Sequence, residues 1–178
     1  MSDTPLNATD IQLYLLKTMK PPEALLAAAL DRIDCSLLDM QQRSLAVAQA
    51  LKPGSGSVQE VRHALDSVLS PEPNDVQFAY STYRLPLWPE FDFILTFNEP
   101  MPLIKRAEFL RRSGNETGRY LTPWKFVEGD MHAVLKNVRD IDAWGHYRSY
   151  IAYDARDGGR YFLRFGWGLL QEVSKPDA

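Results

Sequence analysis

The residues through which this chain could do chemistry are three histidines, one cysteine and a run of arginines, and their spacing sorts them. Glu128, Asp130 and His132 alternate in "EGDMH". On a strand they would point the same way and could hold a metal through two carboxylates and an imidazole. Glu128-Gly129-Asp130 reads better as a turn, however, and the second histidine such a site would want, His146, lies far along the chain. No metal and no other cofactor is expected. His63 sits beside the apolar positions Val61 and Leu65 and reads as a surface residue. His146 has the chemistry of a general base, but no serine or cysteine nucleophile accompanies it. Cys35 falls inside an apolar helical pattern, the setting of a buried, inert thiol. Glycine-rich phosphate loops, a G-x-S-x-G elbow and paired CxxC motifs are absent, and no catalytic residue is assigned.

The densest concentration of binding-type residues is "HYRSYIAYDARDGGRYFLRFGWG", residues 146–168, with seven aromatics and four arginines around an Asp-Gly-Gly turn. Read as a hairpin, its second strand puts Tyr161, Leu163, Phe165, Trp167 and Leu169 on one face. A three-residue loop, Asp157-Gly158-Gly159, aligns Tyr153 with Leu163, Ile151 with Phe165 and Tyr147 with Leu169, and Gly159 suits the left-handed position that loop requires. That register makes one continuous apolar face. It leaves Arg148, Tyr150, Arg156, Arg160, Phe162 and Arg164 on the other, an arginine surface able to grip carboxylate or phosphate and to stack on rings. Trp88, held between Pro86 and Pro89 in "LPLWPEFDF", is a second candidate contact, either a core residue or an exposed anchor. Lys105, Arg106, Arg111 and Arg112 form a further basic cluster.

The elements that must position these residues are helical in the first third. "TDIQLYLLKTM" has Thr9 and Gln12 at capping-box spacing and ends at Pro21-Pro22. One long helix is expected over roughly residues 22–52. Leu26, Leu30, Ile33, Leu37, Met40, Ser44, Val47 and Leu51 follow spacings of four and three along it, and Leu25, Leu38 and Leu45 widen the stripe. This seam packs on the neighbouring helices, and it is also a candidate homodimer contact. A third helix starts near Ser57 and runs to about Leu69. From residue 76 the apolar period shortens towards two: "VQFAYSTYRL" and "FDFILTF" read as strands, "MPLIKRAEFLRRSG" as a helix near 102–112, and "RYLTPWKFV" as extended. Residues 131–144 fit either a helix or a strand and turn.

The predicted architecture is α+β: a helical segment over 1–70 with its heptad-like seam, packed on a mostly antiparallel sheet region over 76–172, as one composite domain. The 178 residues carry a net charge of −3, which exerts no global pull on nucleic acid or an anionic membrane. Residues 1–75 carry a net of −4, whereas 102–168 carry +4. No stretch is long and apolar enough to span a bilayer, and the N-terminus lacks a signal-peptide pattern. A single cysteine fits a reducing cytoplasm, and arginine-rich, lysine-poor usage suggests a GC-rich bacterial source. The leading expectation is a non-enzymatic cytoplasmic protein that binds another protein as adaptor, regulator or inhibitor. The alternatives are a small-molecule binder or enzyme with an aromatic and arginine-lined pocket near Arg148, Arg164 and His146, and a single-stranded nucleic-acid binder on the arginine face.

Overall fold

A computed structural model describes residues 5–52, 58–69, 80–98, 103–112, 121–143, 148–154 and 159–175. The fold is α+β. Helices α1 (Ala8–Met19), α2 (Glu23–Arg32), α3 (Leu37–Ala50) and α4 (Val58–Leu65) precede strands β1 (Tyr80–Tyr83), β2 (Phe91–Asn98) and β3 (Leu103–Arg111). A short helix α5 (Met131–Val134) follows, then β4 (Val138–Ala143), β5 (Arg148–Asp154), β6 (Arg160–Gly166) and β7 (Leu169–Ser174). The strands form two antiparallel sheets, β1-β2-β3 and β4-β5-β6-β7.

Helix α1 is the hub. Asn7 caps it: its side chain accepts from the Thr9 and Asp10 N–H groups, while Asp10 reaches back to the Asn7 N–H at 2.8 Å. The box therefore starts two residues before the expected Thr9–Gln12 pair. That frees Gln12, which is buried and accepts from the Leu87 N–H at 2.9 Å. Leu13, Leu15, Leu16 and Met19 are almost wholly buried, and Arg43 of α3 pairs with Asp10 at 2.6 Å.

The expected long helix is two helices. Asp34 takes a left-handed conformation (φ 50°), the Cys35 N–H returns to the Leu30 carbonyl and the Asp34 N–H to that of Asp31, closing α2. Ser36 then caps α3, with Asp39 completing a reciprocal box. The heptad spacing passes through this break because Leu30, Ile33 and Leu37 keep it on either side of a non-helical turn. Leu30, Met40, Ser44 and Val47 are buried in the chain's own core, Leu26, Ile33 and Leu51 are half-buried against it, and Leu37 is 54% exposed. The eight positions therefore make no single continuous seam.

The helix expected near 102–112 is strand β3. Leu95 pairs with Ala107 and Thr96 with Arg106, but Phe97 pairs with Ile104, so Lys105 is an extra residue in β3. The bulge turns Ile104 and Ala107 to the same side although they lie three apart, the spacing that mimics a helix. Phe91, Phe93, Leu95, Ala107 and Phe109 join the helices in one core, with Phe93 and Phe109 5.0 Å apart.

In the second sheet Ile151 pairs with Leu163, Tyr153 with Tyr161 and Asp154 with Arg160. The strands are thus slipped by two residues from the register expected of a three-residue loop. The slip preserves which side chains share a face; residues 155–158 of the connection, with the expected loop residues Asp157 and Gly158, lie outside the described residues. It also stacks Tyr153 on Tyr161 at 5.4 Å. The strand expected to continue through Trp167 instead ends at Gly166. Trp167 (φ 54°) and Gly168 (φ 76°) form a tight turn into β7, both in the left-handed region that such two-residue hairpins require. A Cβ on Gly168 would lie 3.3 Å from the Phe109 carbonyl oxygen. This turn joins the sheets, since the Phe109 N–H donates to the Trp167 carbonyl at 2.7 Å and the Glu128 N–H to that of Gly168 at 2.8 Å. Phe126, Met131, Ile151, Leu163, Phe165 and Leu170 form a second core beneath β4–β7.

Candidate functional site

The arginine face of β5 and β6 is built as the alternation requires, and two of its arginines, Arg160 and Arg164, are paired within the chain. Arg164 is 19% exposed and bonds to Glu172 at 3.1 Å. Its Nη1 donates to the Met19 carbonyl at 2.7 Å and its Nη2 to the Lys20 carbonyl at 2.9 Å. These are carbonyls at the C-terminal end of α1, which a cation satisfies in both hydrogen bonding and dipole. Helix α1 closes on this face because a glycine lies beneath it: a Cβ on Gly166 would meet Met19 at 3.1 Å. Arg160 pairs with Asp154 at 3.0 Å, which Arg139 of β4 also approaches at 3.8 Å. Tyr150 and Phe162 are half-buried, and Arg148 lies opposite Gly166 in the register. Arg156 and His146 lie outside the described residues.

Trp88 is not an exposed anchor. It is 2% exposed, with Phe109 at 5.0 Å and Trp124 at 5.6 Å. Two tight turns, from the Leu85 carbonyl to the Trp88 N–H and from the Trp88 carbonyl to the Phe91 N–H, drive Leu85, Leu87 and Trp88 inward together. Arg111, expected in a basic helix surface, forms a buried ion pair with Asp130 at 2.7 Å, with the two side chains 10% and 5% exposed. Asp130 also accepts from the Val127 N–H, and Glu128 accepts from the Ser149 hydroxyl at 2.6 Å. The carboxylates of "EGDMH" are therefore used in folding, on a 3-10 turn, with His132 on α5. Cys35 lies in the turn between α2 and α3 rather than inside a helix, half-buried, with the Arg43 guanidinium 3.6 Å from its sulfur. His63 is exposed and pairs with Asp66 at 3.2 Å.

Among the described residues two surfaces have capacity to bind. The first is the open face of the three-stranded sheet, where Tyr80, Thr82, Asp92, Ile94, Thr96 and Leu110 line a shallow groove of about 410 Å³. Its acid Asp92 faces Arg84 at 3.8 Å and Arg112 at 3.6 Å. The second is the outer side of α3. Leu37, Leu38 and Leu45 are 54%, 60% and 55% exposed, and Gln41, Gln42, Ala46 and Gln49 are exposed around the latter two. Sequence reasoning placed Leu38 and Leu45 at the margin of an inward stripe. The signal that places them outward is the helical spacing itself, since at about 3.6 residues per turn Leu38 and Leu45 fall roughly opposite Met40 and Val47.

Compared with known proteins, the chain matches no family model, no curated protein and no solved structure. The function is therefore argued from these surfaces alone.

Proposed function

We propose that this chain is a non-enzymatic interaction protein, an adaptor or regulator that docks another protein chain through the outer face of α3. One observation carries the reading: three leucines on a single capped helix are each more than half exposed. Single exposed leucines are ordinary, but two of them seven residues apart, ringed by alanine and glutamine rather than by charge, resemble a partner face more than a solvated one. A reducing compartment such as the cytoplasm suits the free thiol of Cys35. The paired arginines of the β5–β6 face weigh against nucleic acid there, because their carboxylate partners cancel the field a phosphate backbone would need.

The test is site-specific photocrosslinking in living cells, with the photoreactive residue placed at Leu38, at Leu45 or, as control, at the exposed Arg139. A discrete adduct from both α3 positions and none from the control is the expected result. Absence of any adduct at Leu38 and Leu45 overturns the reading. A small-molecule binder is the second reading, carried by the groove over Ile94 and Leu110. A ligand that protects Tyr80 and Leu110, and not α3, from exchange or labelling would favour it.

A further inference from the structure

We infer that the occupant of the α3 face is a second copy of this chain, packed antiparallel about a two-fold axis. This deepens the interaction reading above and rests on it.

The argument starts from the helix itself. Met40, Ser44 and Val47, spaced four and three, point inward and are buried. Leu38, Gln42, Leu45 and Gln49, spaced four, three and four, lie on the opposite side and are all exposed. Helix α3 therefore carries two heptad stripes, and the fold covers only one. The outer stripe itself holds no charged residue; of its flanks, Gln41, Ala46 and Ala48 are uncharged, and Asp39, one heptad before Ala46, is engaged in capping at Ser36. The amide side chains can pair across a helix–helix contact, and polar members of such a stripe set its register.

Charge argues for self-pairing and for its direction. The chain carries −3, so two copies repel in general, and that repulsion is least on a face whose central stripe is uncharged and whose one acidic flank lies at its end. The charges lie at the two ends: exposed Asp34 and the capping Asp39 at the start of α3, exposed Lys52 just beyond its end. An antiparallel pair sets Leu38 of one copy beside Leu45 of the other. It also brings the lysine end of each helix towards the aspartate end of its partner and opposes the two helix dipoles favourably. A two-fold contact needs this self-complementarity, with residue i meeting j and j meeting i. A single 14-residue helix supplies a small interface, so a weak dimer with a dissociation constant on the order of micromolar is expected.

The experiment is sedimentation equilibrium of the full chain from about 1 to 300 μM, a range that brackets a micromolar constant. The wild type is expected to move from 20.3 kDa towards twice that mass. Leu38→Glu/Leu45→Glu is expected to stay monomeric with an unchanged circular dichroism spectrum. If that variant misfolds, Leu38→Gln/Leu45→Gln, which adds no charge, must still weaken the dimer at least tenfold. Orientation is read in a Cys35→Ser background: a mixture of Leu38→Cys and Leu45→Cys chains forms the mixed disulfide faster than either forms its own. A wild type that remains at 20.3 kDa at every concentration overturns the inference, as does a dimer that persists in both variants. In either case α3 crosslinks to a different protein would leave the interaction reading standing, and the absence of all crosslinks would end both.

Discussion

The arginine face of β5–β6 and the leucine face of α3 invert what their compositions suggest. The first has the residues of a ligand site, yet Arg164 finishes α1, and Arg160 shares Asp154 with Arg139 of β4 in a surface ion-pair cluster. The second has the residues of a core, yet Leu38 and Leu45 face outward. The difference is one of supply. Helix α1 ends over the sheet with unsatisfied carbonyls, and an arginine within reach is drawn to them. Helix α3 has α1 behind it, and among the described residues its second stripe, with Leu38 and Leu45, stays exposed. Residue type indicates what a side chain can do, and its neighbours determine whether that capacity is already used.

The largest effect is expected at the buried ion pair between β3 and the turn before α5. Asp130→Ala strands the Arg111 guanidinium in a site where it is 10% exposed, and a loss of about 3–5 kcal/mol is expected by urea denaturation. A loss below about 1 kcal/mol would show that the pair is not structural. Next comes Arg164→Ala, which uncaps α1 and is expected to lower stability by about 1.5–3 kcal/mol. Arg164→Lys should recover only part, since an ammonium cannot fork onto two carbonyls and a carboxylate. If Arg164→Ala leaves stability untouched, the face is available for a ligand after all. Gly168→Ala forces a side chain into φ 76° against the Phe109 carbonyl, and about 1–2 kcal/mol of destabilisation is expected in the same assay.

On α3 the expectation reverses. Leu38→Glu/Leu45→Glu should change the stability of the monomer by no more than about 0.5 kcal/mol while removing association. A large stability loss would mean that these leucines pack within the chain. The smallest effect concerns the cap that creates the face. The Ser36 hydroxyl and then the Ser36 N–H hold the Asp39 carboxyl below its ordinary value of 3.8. A pKa depressed by folding contributes stability above the unfolded value, which is lost as pH falls through the folded one. Asp39→Asn should therefore lower the melting temperature slightly at neutral pH. The gap from wild type should shrink as pH drops below 3.8.

Much of this molecule was legible without coordinates. The shift from helices to strands between α4 and β1, the α+β class, the proline stop after α1 and the two sides of the β5–β6 hairpin follow from patterns local in sequence, because capping, turns and alternation are short-range. The failures share a cause as well. The helix read over 102–112 is a strand whose bulge at Lys105 copies helical spacing, and the long helix is cut by Asp34 in a left-handed conformation more usual for glycine. Trp167, read as a strand residue, occupies a turn position that costs it backbone strain. The strain is tolerated because its indole is buried against Phe93 and donates to the Thr18 hydroxyl at 2.8 Å. The sequence by itself determined the helical first third, the strand alternation of β2, β5 and β6, and which faces of these are apolar. Only the tertiary structure decided which apolar face is covered and which charge is already paired. Burial and charge compensation depend on elements brought together from distant parts of the chain: Arg164 finds Met19, and α1 chooses one stripe of α3 and leaves the other exposed.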